Sequence, residues 1–252
     1  MPESTAGTRS PGTRPVSGPS VFVTTRWTVV LSAQGNTTPA GRAAMETLCR
    51  TYWQPIYAYL RRHGHSPHDS EDLAQGFFAQ LLRLEAVATV HPDKGRFRSF
   101  LLGSLGHYLA DERDRTMAQK RGAGRVFVMD TATAESIHAT CPELTPERAF
   151  DRQWALTLLD QVHERLRQEQ VSTGKAAQFE ALRFGLAGNR SEVPYRDLAV
   201  QLGMSEGAVK VAVHRLRQRY REVLREAVAD TVAAGADVEQ ELRHLLEALV
   251  GN

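Results

Sequence analysis

The sequence predicts an all-α protein: two small helical domains joined by a flexible linker, the second containing a helix-turn-helix. Three observations lead there. No stretch alternates apolar and polar residues with period 2 over a useful length, so the signature of half-buried strands is missing. Apolar residues recur instead at helical spacing in segment after segment, several opened by Ser, Thr or Asp at a capping position. Between residues 122 and 145 that periodicity lapses into short apolar pieces and small residues, which reads as the interdomain linker.

Residues 1–20 are rich in Pro, Gly, Ser and Thr with little to bury, and read as a disordered tail. The first domain spans 21–121. Its first helix is expected after a Thr24 or Thr25 cap, with Trp27, Val30 and Leu31 inward and Gly35-Asn36 at its end. A longer helix runs from about Gly41 to Tyr52. Pro55 then predicts a kink or a new first turn, after which Ile56, Tyr59 and Leu60 resume the apolar spacing as far as His63-Gly64-His65. Ser66-Pro67-His68-Asp69-Ser70-Glu71-Asp72 is a capped start with acidic residues at the positive end of the helix dipole. In the body of that helix Leu73, Phe77, Gln80, Leu81 and Leu84 share one face, leaving Asp72, Gln75 and Arg83 nearer to solvent. Pro92-Asp93-Lys94-Gly95 makes a turn. A helix then runs from Arg96 to about Arg115, mixing cations with aromatics in Arg96, Phe97, Arg98, Phe100, His107 and Tyr108, the combination single-strand nucleic-acid binding uses. Phe100 and Leu105 read as core; Phe97 and Tyr108 fit core or contact surface equally.

The second domain spans 146–232. Thr145-Pro146-Glu147 supplies a cap, a proline and an acidic first turn, and Phe150, Trp154, Leu158 and Leu166 mark the buried side. Lys175 to Leu186 adds a helix through Phe179, Leu182 and Phe184. From Tyr195 a short helix carries Leu198 and Leu202, breaks at Gly203, and restarts from Ser205 as cap. On the restarted helix Val209, Val213, Leu216, Tyr220 and Val223 form one stripe, while Lys210, His214, Arg217 and Arg221 form another roughly 100° away. Between Ser205 and Arg225 the cations Lys210, Arg215, Arg217, Arg219, Arg221 and Arg225 face only Glu206 and Glu222. Small residues at the leading end with cations behind suit a helix in a major groove. Residues 233–252 end in an amphipathic helix opened by Asp237-Val238-Glu239-Gln240, with Val238, Leu242, Leu245 and Leu249 on one stripe.

Composition removes other classes. A net charge of +2 excludes a global cationic field, so nucleic-acid binding must come from local clusters. Cys49 and Cys141 lie far apart and outside any Cys-x-x-Cys spacing, which indicates neither a disulfide framework nor a cysteine zinc site and favours a reducing cytoplasm. No apolar run approaches the roughly 20 residues of a spanning helix, and no membrane association is expected. His63, His65 and His68 lack the carboxylates of a catalytic metal site. No phosphate loop or nucleophile motif is found, and His163-Glu164 lacks the second His of a metalloprotease. Neither metal, cofactor nor catalytic residue is expected.

Over roughly Ala43 to Arg121 and Phe150 to Arg225 the chain resembles the sigma-70 family of bacterial transcription initiation factors, in its small extracytoplasmic-function (ECF) group. Asp69-Ser70-Glu71-Asp72-Leu73-Ala74-Gln75-Gly76-Phe77-Phe78 looks like the helix that docks on the β′ clamp helices of core RNA polymerase. The resemblance assigns that docking to Asp69, Asp72, Gln75 and Phe78. Phe97-Arg98-Ser99-Phe100-Leu101 through Arg113 looks like the segment that melts the minus-10 element, with Arg96, Phe97, Arg98, His107, Tyr108 and Arg113 toward DNA. Phe100 stands where the family usually has Trp, and His107 where it has Asn. The helix-turn-helix looks like the minus-35 reader, through Ser205, Glu206, Ala208, Lys210, Val211, His214, Arg215 and Arg217. Val211-Ala212-Val213 replaces the usual Ser-Arg-Leu, which puts an apolar side chain within reach of thymine methyls. The implied partners are core polymerase, through β′ clamp helices and β flap, promoter DNA, and an anti-sigma protein. The rival reading is an operator-binding regulator that never joins the polymerase; the docking helix and the aromatic-cationic surface argue against it. The terminal helix either enlarges the second domain's core or packs over a promoter-binding surface.

Overall fold

Two long helices set the arrangement. The computed structural model describes residues 27–33, 38–83, 87, 90, 96–118, 134–135, 138–139, 143–187, 194–232 and 238–250, with backbone alone at 27–29 and 116–118. In chain order these form α1 (Trp27–Ala33), α2 (Pro39–Arg62), α3 (Pro67–Arg83), α4 (Phe97–Ala118), α5 (Pro146–Ser172), α6 (Ala176–Leu182) with a 3-10 turn (Arg183–Ala187), α7 (Tyr195–Leu202), α8 (Glu206–Ala229) and α9 (Val238–Val250). There is no strand among the described residues, and none of their helices is long and apolar enough to cross a membrane. The tail, the 92–95 turn, Leu84 and the Thr24, Gly35-Asn36 and Asp237 cap positions lie outside them.

α2 begins where Thr38 Oγ1 accepts the Gly41 N–H at 2.9 Å, and runs unbroken through Pro55 to Arg62. The expected interruption does not occur. Proline removes one helical donor, yet Trp53, Ile56, Tyr57 and Leu60, at most 3 % exposed, are gripped on several sides and hold the helix together. α3 opens as expected: Ser66 Oγ accepts the Asp69 N–H at 3.1 Å and donates to its carboxylate at 2.7 Å. α5 is capped by Thr145. In α1 Val30 and Ala33 are buried, but Leu31, one position round the helix from Val30, is 43 % exposed rather than inward. Phe184 likewise points outward, because the chain tightens into the 3-10 turn before it and breaks the spacing set by Phe179 and Leu182.

α2 and α5 contact each other more extensively than any other pair of described elements. Phe150, Trp154, Leu158 and Val162 of α5 enter the same apolar cluster as α1 to α4, and so do Val223, Ala227 and Val228 of α8 and Leu245 of α9. A second cluster joins Leu166 to α6, α7 and the first half of α8. The main core therefore crosses the expected 122–145 boundary. Within that segment Ala134 packs with Tyr57, Ala58 and Ala149, and Glu135 receives hydrogen bonds from Tyr57 Oη (2.6 Å) and Arg61 Nε (2.5 Å), while Arg62 donates to the His138 carbonyl. The described part of the linker is thus latched to α2, where free flexibility was expected.

Candidate nucleic-acid interface

Three surfaces carry the residues singled out by sequence. On α3, Asp69 and Asp72 are exposed and Gln75 is half-buried, while the opposite face packs through Ala74, Phe77 and Leu81. Phe78 is not available for docking: it is 7 % exposed and stacks on Trp53 with ring centroids 5.9 Å apart. At position 78 the i+4 spacing from Ala74 turns the ring into the core.

The start of α4 departs most from expectation. His107 and Arg113 are exposed and Arg96 is half-exposed, but Phe97, Arg98 and Tyr108 are 4, 5 and 6 % exposed. Phe97 meets Tyr52 edge-on at 5.4 Å, and Tyr108 lies against Phe77, where burial pushes its hydroxyl up to about 12. Leu105 is fully buried and is core as expected, while Phe100 is partly buried and packs against the core's edge by stacking on Phe97. Arg98 enters a polar pocket in the apolar core. Its guanidinium pairs with both oxygens of Glu241, comes within 3.6 Å of Asp151 and lies 4.6 Å over the Trp154 ring. Arg96 reaches the same Glu241 at 3.0 Å, and His244 Nε2 sits 3.3 Å from Asp151. Sequence reasoning missed Glu241, yet it left a signal: a carboxylate on the apolar stripe, three positions after Val238 and four before Leu245.

On α7 and α8 the local geometry is as expected. Gly203 adopts φ 62°, the left-handed region that suits glycine, and Ser205 Oγ accepts the Ala208 N–H at 3.2 Å. Val209, Val213, Leu216 and Val223 are buried with Tyr220 partly so, and Glu206, Lys210, Val211, His214, Arg215 and Arg221 are exposed. Ala208 is half-buried. The cationic excess read from sequence is smaller in three dimensions. Lys210 Nζ pairs with Glu206 at 2.7 Å, which lowers the Glu206 carboxyl and raises the lysine. Arg219 clasps Glu169 of α5 through two bonds of 2.9 Å, Arg225 pairs with Glu239, and Arg217 donates Nε–H to the Gly185 carbonyl at 2.6 Å. Arg217 thus anchors the 3-10 turn, with one donor spent inside the protein.

Residues 48–116 match the family model of sigma-70 region 2. No curated protein and no solved structure matches the chain. The matched segment contains α3, most of α2 and nearly all of α4, the elements that place the acidic face and the buried arginine. Over residues 48–116 the chain therefore carries a sigma-70 region 2 domain, the part of a sigma-70 factor that meets RNA polymerase and the minus-10 element.

Proposed function

We propose that the chain is an ECF-type initiation factor that docks on the β′ clamp helices through the exposed Asp69, Asp72 and Gln75 of α3, and reads minus-35 DNA with the helix-turn-helix of α7 and α8. The acidic face of α3 is the observation that carries the reading: two exposed carboxylates on a helix whose other side is locked into the core. A cationic partner surface meets them without rearrangement of the domain. At the second surface Arg215, Arg221 and Lys210 supply phosphate contacts, and Val211, 50 % exposed beside His214, supplies an apolar contact to base edges. His107 and Arg113 are the minus-10 residues already accessible, and Arg96 is half-exposed beside Glu241. Opening the duplex costs a few kcal/mol per unstacked base, which contacts to the released strand offset. The setting is the cytoplasm, where polymerase and promoter are found, with an anti-sigma protein as a further partner.

The test is direct binding of the full chain to sigma-free core polymerase, with Asp72→Lys and Gln75→Ala alongside. Tight binding by the wild type and loss in the folded variants is the expected result. If duplex DNA is bound but core polymerase is not, the operator-binding reading replaces this one.

A further inference from the structure

We infer that α9 is an intramolecular cover for the DNA-facing end of α4, in which Glu241 takes the place of a nucleic-acid phosphate on Arg96 and Arg98. The inference rests on the reading of those arginines as minus-10 contacts.

The chemistry of the contact is that of the expected ligand. An unpaired nucleotide offers a cationic side chain an anionic phosphate and a flat π-face. Arg98 has both inside the protein: the Glu241 carboxylate and the Trp154 ring. Glu241 is 1 % exposed and is shared between two arginines, a geometry in which a strand's phosphate and Glu241 are mutually exclusive. A helix that only enlarged a core would carry an apolar residue at this position, since a buried carboxylate is costly unless cations meet it. The carboxylate has a reason to be there if those cations must be held until a better anion arrives.

The rest of α9 is held mostly by half-buried contacts, with Val238, Leu242, Ala248 and Leu249 packed against the edge of the main core. Leu245 is its one fully buried apolar side chain among the described residues; Val238, Leu242 and Leu249 are half-buried, and Leu246 and Val250 are 57 and 75 % exposed. Its polar ties include the solvent-exposed Arg225–Glu239 pair, a bond of 2.8 Å from Arg152 to the Leu249 carbonyl, and the His244–Asp151 pair. At 13 residues α9 is near the length below which an isolated helix has little stability of its own. Displacing it frees Arg96 and removes the carboxylate from Arg98, leaving Trp154 and Asp151 on the latter.

The closed state lowers apparent affinity for single-stranded DNA by the open fraction: with about one molecule in a hundred open, full opening tightens binding up to about 100-fold. The experiment uses the full chain and a fluorescent pool of random-sequence single-stranded DNA, titrated by anisotropy across a salt series, with thermal melts of every variant. Glu241→Gln is compared with Glu247→Gln, which makes the same charge change at an exposed position of the same helix. The expected result is at least about tenfold tighter binding for Glu241→Gln than for Glu247→Gln. Its log–log salt slope should also steepen, by about 0.7 if Arg96 alone engages a further phosphate and by about 1.4 if Arg98 does so too. Equal affinity and slope for the two variants overturns the proposal and leaves Glu241 as a structural ion pair. If Glu241→Gln fails to fold, Arg225→Glu decides: it loosens α9 from the surface while removing a cation, so tighter binding than wild type supports the cover and weaker binding overturns it. The same proteins are tested on core polymerase, and failure of the wild type there overturns the docking reading rather than the cover.

Discussion

Gly76 of α3 makes room for the Tyr108 hydroxyl of α4. A Cβ at this position in α3 would stand 2.2 Å from Tyr108 Oη and 3.3 Å from Cζ on α4. The ring cannot swing aside freely, being 6 % exposed and packed on Phe77 at 5.8 Å. Gly76→Ala must therefore separate α3 and α4 by roughly 1 Å at this level, an overpacking of about 2–3 kcal/mol. Against it stands the roughly 1 kcal/mol by which Ala exceeds Gly in a helix interior. The net is a destabilisation of about 1–2 kcal/mol, or about 2–8 °C in Tm for a chain of this size. Tyr108→Phe removes the offending oxygen and leaves a 3.3 Å neighbour, which a shift of a few tenths of an ångström relieves. A double-mutant cycle in denaturant should give a favourable coupling of about 1–2 kcal/mol, with Gly76→Ala near neutral in the Tyr108→Phe background. Equal destabilisation in both backgrounds would refute the close approach as the cause and point to backbone conformation at position 76.

Other perturbations separate packing from recognition. Phe78→Ala should cost about 3–5 kcal/mol of stability by leaving a cavity against Trp53, read by chemical denaturation, whereas the exposed Asp72→Lys should leave the melting curve within about 0.5 kcal/mol. Ser205→Ala should cost about 1 kcal/mol through the lost cap, with hydrogen exchange at the Ala208 amide rising and the first domain's protection unchanged. Acid should loosen the linker latch in two windows. Burial holds His138 below its ordinary 6.5, so the unfolded state binds its proton first and stability falls as pH drops below 6.5. The hydrogen bond from Arg61 holds Glu135 below 4.5, so its contribution is complete above 4.5 and is lost as pH falls through the lower folded value. Glu135→Gln should flatten the second decline in a Tm-against-pH series and leave the first.

The helices were legible because their signals are local. Thr38 escaped notice as a cap, but Ser66, Thr145 and Ser205 each satisfy an amide at the position their sequence context predicts, and Val209, Val213, Leu216 and Val223 fall on the buried side of α8 as the 3.6 period requires. Local rules failed where tertiary packing outweighed them. Pro55 remains helical because its neighbours are buried, and Phe78 and Tyr108 turn inward because aromatic partners, Trp53 and Phe77, are there to pack them. Composition could not place Leu31 or Phe184, since an apolar residue at the end of a short element costs little when left in water.

The site was legible as a set of residue types and illegible as a set of pairings. Counting cations on α8 gave six between Ser205 and Arg225, but Arg219 is committed to Glu169, Arg225 to Glu239 and Arg217 to a backbone carbonyl. These partners lie 50, 14 and 32 positions away, beyond any helical period. The same holds with more consequence at Arg98, whose carboxylate partner is 143 residues distant. A sequence pattern reports what a face offers to any anion; the fold decides which anion reaches it first. In this chain the surface assigned to minus-10 DNA and the segment that answers its charge are written at opposite ends of the sequence. The C-terminal half packs into the region 2 core instead of hanging from a free linker, and that packing brings the two together. The Phe97-Arg98 start of α4, inside the segment that matches region 2, is therefore also a place whose exposure depends on where α5 and α9 sit.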